Sequence, residues 1–346
     1  MFHGGDTFSY KGKFNGKIID YSSNINPMGP PKALKAELLK AYEELTSYPD
    51  IQYRELRHNI AKYLKCDYRE VIVGSGAMEL ISNMCLLFNR IVVFVPCFGE
   101  YIKRPKVLGK EVITLKMDEN FKITFDSLKN TLRKDDLLIL GNPNNPTGLR
   151  IEKEVLLKLY EIVKEKDAFL LLDEAFYEFC PEDYDSIELF REEEKVCVVR
   201  AATKFFALPG IRLGYAFVNE TFREKYIKIE SPWSVNSYAN AAGRVIFKDK
   251  AYIEKVKRET EKERNFMLNK LSNINWIRSF ESHTNFILIK LLKGEEDEIF
   301  DKLIYKGFMI RKASSFEGLD KTYIRLAVKD RESNEALIRA LEEIKL

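Results

Sequence analysis

The sequence predicts an α/β protein in which a mostly parallel sheet is covered by helices on both faces. Short apolar runs alternate with helical stretches between residues 71 and 218, and each run is continuous instead of alternating with polar residues. Continuous runs are typical of strands buried on both faces, and alternation of strand with helix is typical of the α/β class. With 346 residues, the chain is long enough for a large domain and a smaller one.

The individual elements follow from local patterns. Residues 1–30 are rich in Gly, Asn, Ser and Pro, which predicts an extended arm. Residues 32–45 predict a helix with four apolar side chains on one face: Leu34, Leu38, Leu39 and Tyr42. Further helices are predicted at residues 55–64, 78–88 and 151–165, and strands at residues 71–74, 91–96, 111–115, 137–143, 168–174, 196–203 and 213–218.

The pattern changes near residue 236. A long charged helix over residues 240–271 is predicted to break or bend near residues 248–250, and the residues after it mix strands with helices. This mixture predicts a small α+β domain. The predicted organisation is an arm at residues 1–30 that accompanies the small domain, a large domain at residues 31–235 and the small domain at residues 236–346.

Composition narrows the classes of function. The net charge is only +3, which gives no support for a nucleic acid or an anionic membrane as partner. The five cysteines lack a paired spacing, so we expect reduced thiols, and the three histidines form no metal-ligand pattern. No apolar run approaches the length of a membrane span and no secretory signal is present, so we expect a cytoplasmic protein without a metal site.

Four stretches carry the candidate chemistry: GSGAMELI (74–81), GNPNNPTG (141–148), LLLDEAF (170–176) and RAATKFFALPGIRLGY (200–215). The first places a glycine-rich turn before a helix, where free N–H groups bind anions, although a simple tight turn has the same pattern. Asp173 ends an apolar strand, and a buried carboxylate needs a cation or hydrogen-bond donors. Lys204 precedes two phenylalanines, and an apolar setting lowers the pKa of a lysine toward values that suit imine chemistry.

The order of these motifs resembles that of the fold-type I enzymes that depend on pyridoxal 5'-phosphate (PLP), the aminotransferase class I/II family. The resemblance extends over nearly the whole chain and implies the fold of that family, PLP as cofactor, and a homodimer whose subunits complete each other's sites. It implies the following cofactor contacts: Lys204 for the covalent link, Asp173 for the pyridine nitrogen, Asn145 for the ring oxygen, Phe98 for stacking, and Ala77, Met78, Thr203 and Arg212 for the phosphate.

Two further positions have counterparts in the family. Tyr48, in SYPDIQY, resembles the tyrosine that reaches the cofactor phosphate of a neighbouring subunit. Arg325, in YIRLAV, resembles the arginine that binds the substrate carboxylate. Ala201 departs from the pattern, because many relatives carry a hydroxyl residue there, so the cofactor phosphate is expected to lose one side-chain donor.

Three stretches resemble the threonine-phosphate decarboxylases of cobalamin biosynthesis: HGGD followed by DYSSNINPMGPP, DEAF with Phe176, and SPWSVN. This resemblance implies conversion of L-threonine O-3-phosphate to 1-amino-2-propanol O-2-phosphate. Arg325 and Asn145 would contact the substrate, and Arg311 and His3 are candidate cations for its phosphate. Histidinol-phosphate aminotransferases share most of these motifs, so transamination remains an alternative, although they usually have tyrosine at the position of Phe176. PLP binding without catalysis is a further alternative.

Overall fold

The computed structural model describes residues 4–346. In chain order its strands are β1 (Ile19–Asp20), β2 (Val71–Gly74), β3 (Arg90–Val95), β4 (Glu111–Lys116), β5 (Leu137–Gly141), β6 (Phe169–Asp173), β7 (Val196–Ala201), β8 (Gly214–Val218), β9 (Ile277–Ser279), β10 (Phe286–Leu291), β11 (Phe308–Met309), β12 (Arg311–Lys312) and β13 (Tyr323–Ala327). Its α-helices are α1 (Leu34–Ala41), α2 (Arg54–Leu64), α3 (Ala77–Leu86), α4 (Glu100–Val107), α5 (Phe125–Thr131), α6 (Lys153–Glu165), α7 (Ser186–Leu189), α8 (Glu220–Tyr226), α9 (Ser237–Val245), α10 (Lys250–Leu271), α11 (Glu296–Ile304) and α12 (Arg331–Glu342).

The large sheet has seven strands in the order β2-β8-β7-β6-β5-β3-β4. All neighbouring strands are parallel except that β8 is antiparallel to both β2 and β7. Successive side chains of β6 enter two separate apolar clusters, with Leu170 and Leu172 on one face and Leu171 on the other. The sheet is therefore buried on both faces, and the predicted α/β class with a mostly parallel sheet is confirmed.

Most predicted elements occur close to their predicted bounds. The long charged helix is broken as predicted, since a 3-10 turn at Ile246–Lys248 separates α9 from α10. The first helix is shorter than predicted, because α1 ends at Ala41 and a 3-10 turn over Tyr42–Thr46 follows. Leu34 belongs to the core and Leu38 packs against it, whereas Leu39 and Tyr42 are 67% and 63% exposed, so only half of the predicted apolar face packs within the subunit.

The small part of the fold contains an antiparallel sheet in the order β12-β13-β10-β9 and a two-stranded parallel sheet of β1 and β11. Tyr21, which follows β1, belongs to the apolar cluster of this part, so the N-terminal arm packs with it. Ala239 and Val256 belong to the large core, whereas Met267 and Leu271 belong to the small one. The division at residue 236 stays a prediction, and we propose on these contacts that the two cores divide within α10.

A buried ionic network lies behind the end of β6. Glu174 is completely buried, and Arg200 of β7 donates to its Oε2 from Nε at 3.0 Å and from Nη2 at 2.8 Å. Arg200 also donates to Asp185 at 2.7 Å, and its guanidinium lies 3.5 Å from the ring centroid of Tyr177. Burial opposes the charge of Arg200, but the carboxylates of Glu174 and Asp185 outweigh it and hold the pKa of Arg200 well above its ordinary value. This network joins the ends of β6 and β7.

Within residues 4–346, no helix combines the length and the apolar character that crossing a bilayer requires.

Removing one member of the network should lower the stability of the protein, because the remaining charges would stay buried without a partner. We predict that Arg200→Met lowers the free energy of unfolding by about 3–5 kcal/mol, measured by urea denaturation at one fixed protein concentration. Arg339→Met is the matched control, since Arg339 pairs with Glu335 at 4.0 Å on an exposed helix surface, and it should change stability by less than about 0.5 kcal/mol. Equal, small changes in both variants would contradict a structural role for the buried pair.

Candidate active site

A cavity of about 250 Å³ opens at the carboxyl-terminal edge of the large sheet and is closed on its other side by β12, β13 and the N-terminal arm. Such an edge is the usual ligand site of parallel sheets. Ten of the residues singled out from the sequence line this cavity: Ala77, Met78, Phe98, Asn145, Asp173, Thr203, Lys204, Arg212, Arg311 and Arg325. Tyr48 does not line it, and His3 lies outside the described residues.

One end of the cavity forms an anion cradle at the start of α3. Gly76 precedes the helix with a φ of +81°, and a Cβ atom there would lie 2.4 Å from Nη2 of Arg212. A Cβ atom on Gly214 would lie 2.3 Å from the carbonyl carbon of Gly76. Glycine at both positions therefore brings Arg212 against the helix start, where unpaired N–H groups attract anions. This arrangement fits the phosphate group of PLP.

The carboxylate of Asp173, the last residue of β6, lines the same cavity. The side chain is 8% exposed; its Oδ1 accepts the N–H of Ala175 at 3.0 Å and its Oδ2 accepts the hydroxyl of Tyr101 at 2.6 Å. No ion pair to Asp173 occurs among residues 4–346. Burial raises the pKa of Asp173, while the two hydrogen bonds oppose this rise. An anionic carboxylate without a cation fits a ligand that brings a positive charge, such as a protonated pyridine ring.

Lys204 lies three residues beyond the end of β7, and its Nζ is 6.0 Å from the ring centroid of Phe176. Burial, with repulsion from Arg325, Lys329 and Arg212, lowers the pKa of Lys204 to about 8, although Asp20 opposes this shift. A sizeable fraction of this amine is thus neutral near physiological pH. A neutral amine can attack the aldehyde of a cofactor.

Two buried arginines face each other on the small sheet, because Arg311 of β12 and Arg325 of β13 are in register. Arg325 donates from Nη2 to the carbonyl of Ser22 at 2.8 Å and from Nη1 to Asn145. Arg311 donates from Nη2 to Ser315 at 2.7 Å. Burial lowers the pKa of Arg311 to about 10, and burial together with repulsion from Arg311 lowers that of Arg325 to about 9. A bound anion would offset this repulsion.

The predicted residue outside the cavity, Tyr48, lies on the surface. It is 79% exposed and its ring centroid is 4.5 Å from that of Trp233. Its predicted contact with a neighbouring subunit stays a prediction.

Sequence reasoning missed three contributors to the site. Tyr101 follows Phe98 by three residues, and its bond to Asp173 joins α4 to the end of β6, 72 positions away in sequence. Ser22 contributes a backbone carbonyl, which no side-chain pattern reveals. Phe316 lies 5.0 Å from the guanidinium of Arg311 and 5.7 Å from that of Arg325. Two aromatic residues of the cavity wall were singled out from the sequence, since both Phe98 and Phe176 line the cavity.

The lowered pKa of Lys204 predicts a pH-dependent stability. With a pKa of about 8, Lys204 loses its proton at a lower pH in the folded protein without cofactor than in the unfolded chain, where a lysine has its ordinary pKa of 10.5. The unfolded state therefore binds more protons between these values, and the contribution of Lys204 to stability should rise with pH over that range. We expect the free energy of unfolding of the unaltered apo-protein, minus that of Lys204→Met, to increase from pH 8 to pH 10. A difference that does not vary with pH would contradict the lowered pKa.

Comparisons with known proteins identify the family of this chain. The sequence model of the family "Aminotransferase class I and II" matches residues 16–341. A protein from Caldanaerobacter subterraneus subsp. tengcongensis, provisionally named threonine-phosphate decarboxylase, is 42% identical over 98% of this chain and 92% of its own. Threonine-phosphate decarboxylase of Salmonella typhimurium is 30% identical over 95% of this chain and 91% of its own.

Among solved structures, the histidinol-phosphate aminotransferase from Clostridium acetobutylicum matches with a TM-score of 0.90 and 35% identity, over 93% of this chain and 97% of that one. The similarity thus extends to relatives named for two different reactions. The chain therefore belongs to the aminotransferase class I and II family and is a PLP-dependent enzyme.

Proposed function

We propose that this enzyme decarboxylates L-threonine O-3-phosphate to 1-amino-2-propanol O-2-phosphate. The observation that carries the proposal is the pair of buried arginines in register, Arg311 and Arg325, in the same cavity as Lys204. A ligand with a phosphate and a carboxylate supplies one anion for each guanidinium. Arginine binds both groups through two parallel N–H donors, which also fixes their orientation.

The residues present fit PLP. Lys204 would hold its aldehyde carbon, Asp173 its ring nitrogen, and the cradle formed by Arg212, Thr203 and the start of α3 its phosphate. When bound, PLP supplies an electron sink for the pair of electrons left at the substrate Cα. Asp173 serves this chemistry by keeping a proton on the ring nitrogen through charge pairing in a desolvated site.

Two contacts of Arg325 explain how the substrate carboxylate would be oriented. Arg325 is held by the carbonyl of Ser22 on one side and by Asn145 on the other. Asn145 follows β5 on the large sheet, so this bond connects the substrate-binding arginine with the wall that would hold the cofactor. Fixing the carboxylate and the phosphate together would hold the substrate in one orientation, and that orientation would decide which bond at Cα breaks.

The amine of Lys204 would transfer the proton to or from the substrate Cα. Its Nζ belongs to the same cavity as the two arginines and would donate a proton to the substrate Cα after carbon dioxide has left. A pKa of about 8 suits this task, since such a group can both donate and accept protons near neutral pH.

Phe176 supports the decarboxylase over the aminotransferase, because its ring lines the cavity without a hydroxyl group. Its edge contacts Phe286, with the ring centroids 5.0 Å apart, so the position is packed by apolar groups.

The second candidate function is transamination of histidinol phosphate. The TM-score of 0.90 with a solved histidinol-phosphate aminotransferase favours it, and one of the two arginines would bind the substrate phosphate in that case.

An assay of products decides between the two functions. The PLP-loaded enzyme should convert L-threonine O-3-phosphate to equal amounts of carbon dioxide and the aminopropanol phosphate, without consuming 2-oxoglutarate. Arg311→Gln should lower kcat/KM by about 100-fold, because it removes charge-assisted hydrogen bonds to the substrate phosphate. Arg278→Gln, on the exposed face of β9, should leave it unchanged. Formation of glutamate from 2-oxoglutarate with histidinol phosphate, and no carbon dioxide, would establish the aminotransferase.

We also propose that the enzyme is a homodimer. Large apolar side chains remain exposed on one segment and on a loop that contacts it: Leu39, Tyr42, Leu45, Tyr48, Ile51 and Trp233. The centroid distance of 4.5 Å between Tyr48 and Trp233 places the two segments on one surface. Monomers seldom leave such groups of apolar side chains in water, so a second subunit is the expected cover.

Complementation tests whether Tyr48 serves the neighbouring subunit. Lys204→Ala and Tyr48→Phe homodimers should both have low activity. A mixed dimer combines the intact Lys204 of one subunit with the intact Tyr48 of the other, so co-expression should restore activity at about a quarter of the sites under random pairing. If Tyr48 served its own subunit, or none, the mixed dimers would show no recovery beyond the average of the parents.

A further inference from the structure

We propose that Tyr101 is a positioning residue that keeps the Asp173 carboxylate ionised and oriented for the ring nitrogen of the cofactor. The Tyr101 hydroxyl donates to Oδ2 of Asp173 at 2.6 Å, and both side chains are buried. This inference rests on the cofactor and not on the identity of the amino acid substrate. It therefore holds whether the enzyme is a decarboxylase or an aminotransferase.

The position of Tyr101 follows from the start of α4. The N–H of Tyr101 donates to the carbonyl of Phe98 at 3.0 Å, which makes the turn that begins the helix. The two rings meet edge to face, with centroids 5.6 Å apart and an interplanar angle of 88°. The same turn thus places the Phe98 ring in the cavity wall and directs the Tyr101 hydroxyl to Asp173.

The charges fix the direction of the hydrogen bond. Burial and the neighbouring Asp173 raise the pKa of Tyr101 well above its ordinary value, so the phenol keeps its proton and donates it. Burial raises the pKa of Asp173, and the bond from Tyr101 is the larger of the two contributions that oppose the rise. Without this hydroxyl, the N–H of Ala175 would be the one hydrogen-bond donor left to the anionic form among residues 4–346.

The geometry also restricts rotation of the carboxylate. Oδ1 is held by a backbone group of the chain that follows β6, and Oδ2 is held by a side chain of α4. Two donors on different elements fix the plane of the group, and each oxygen retains a further lone pair for a cation in the cavity. Tyr101 would act on the cofactor through this plane, without contacting the reacting atoms.

A double-mutant cycle tests the proposal by PLP affinity alone. The dissociation constant of PLP is measured by absorbance on the apo-forms of the unaltered enzyme, Tyr101→Phe, Asp173→Asn and the double variant. Tyr101→Phe should weaken binding about tenfold in the unaltered background, as expected for loss of a hydrogen bond to a charged group. In the Asp173→Asn background the same change should cost less than about twofold, because the charge through which Tyr101 acts is absent.

Tyr226→Phe is the matched control for loss of a buried hydroxyl. Tyr226 lies in the same apolar cluster as Tyr101, and its hydroxyl accepts from Nδ2 of Asn83 at 3.1 Å, away from the cavity. It should leave PLP affinity and the induced circular dichroism of the bound cofactor unchanged, whereas Tyr101→Phe should alter both. Equal losses from Tyr101→Phe in the two Asp173 backgrounds, or no loss in either, would overturn the proposal.

Discussion

The rest of the site depends on one buried carboxylate, that of Asp173. It ends a central strand of the large sheet, and no cation pairs with it in the part of the chain that the structure describes. Two hydrogen bonds make its burial tolerable, but they leave its charge uncompensated. The partner that we propose for it is the protonated ring nitrogen of PLP, which would bring the positive charge that this carboxylate lacks.

The remaining charges of the cavity have the opposite sign. Lys204, Arg212, Arg311 and Arg325 all line it, and mutual repulsion contributes to the lowered pKa values of Lys204 and Arg325. A ligand set with one positive group for Asp173 and several anionic groups elsewhere is complementary to this distribution. PLP together with a phosphorylated amino acid has this pattern of charge, and the repulsion released on binding would contribute to affinity.

The next residue, Glu174, is a second buried carboxylate with a different set of contacts. Asp173 faces the cavity, whereas Glu174 lies on the other side and pairs with Arg200 and Ser186. The pair contributes nothing to the cavity directly, since neither residue lines it. The ion pair connects the end of β6, where Asp173 lies, with β7, the strand that leads to Lys204. It therefore helps to fix the positions of Asp173 and Lys204 relative to each other.

The sequence predicted the large sheet well because its strands are apolar on both faces, a property visible in single runs of residues. Ten of the twelve predicted site residues meet at the cavity. Seven of them end or follow a strand of the large sheet, and the carboxyl ends of parallel strands share one edge. The other three do not, since Arg212 precedes β8, and Arg311 and Arg325 lie in β12 and β13 of the small sheet.

Long-range packing could not be predicted in the same way. The partner of Glu174 and the hydroxyl on Asp173 come from residues 26 and 72 positions away in sequence, with no local pattern to identify them. The helix pattern placed Leu39 and Tyr42 on an apolar face, but periodicity does not say whether that face is covered by the same subunit or by another. Tyr48 presents the same difficulty, since its predicted target lies in a second chain.

The most direct test of this account is nitrogen-15 NMR of the enzyme loaded with PLP labelled at the ring nitrogen. If Asp173 pairs with that nitrogen, its chemical shift should be that of a protonated pyridine at neutral and mildly alkaline pH, and Asp173→Asn should shift it to the value of a neutral ring. A neutral ring nitrogen in the unaltered enzyme at pH 7 would contradict the assignment of Asp173 and the role proposed for Tyr101.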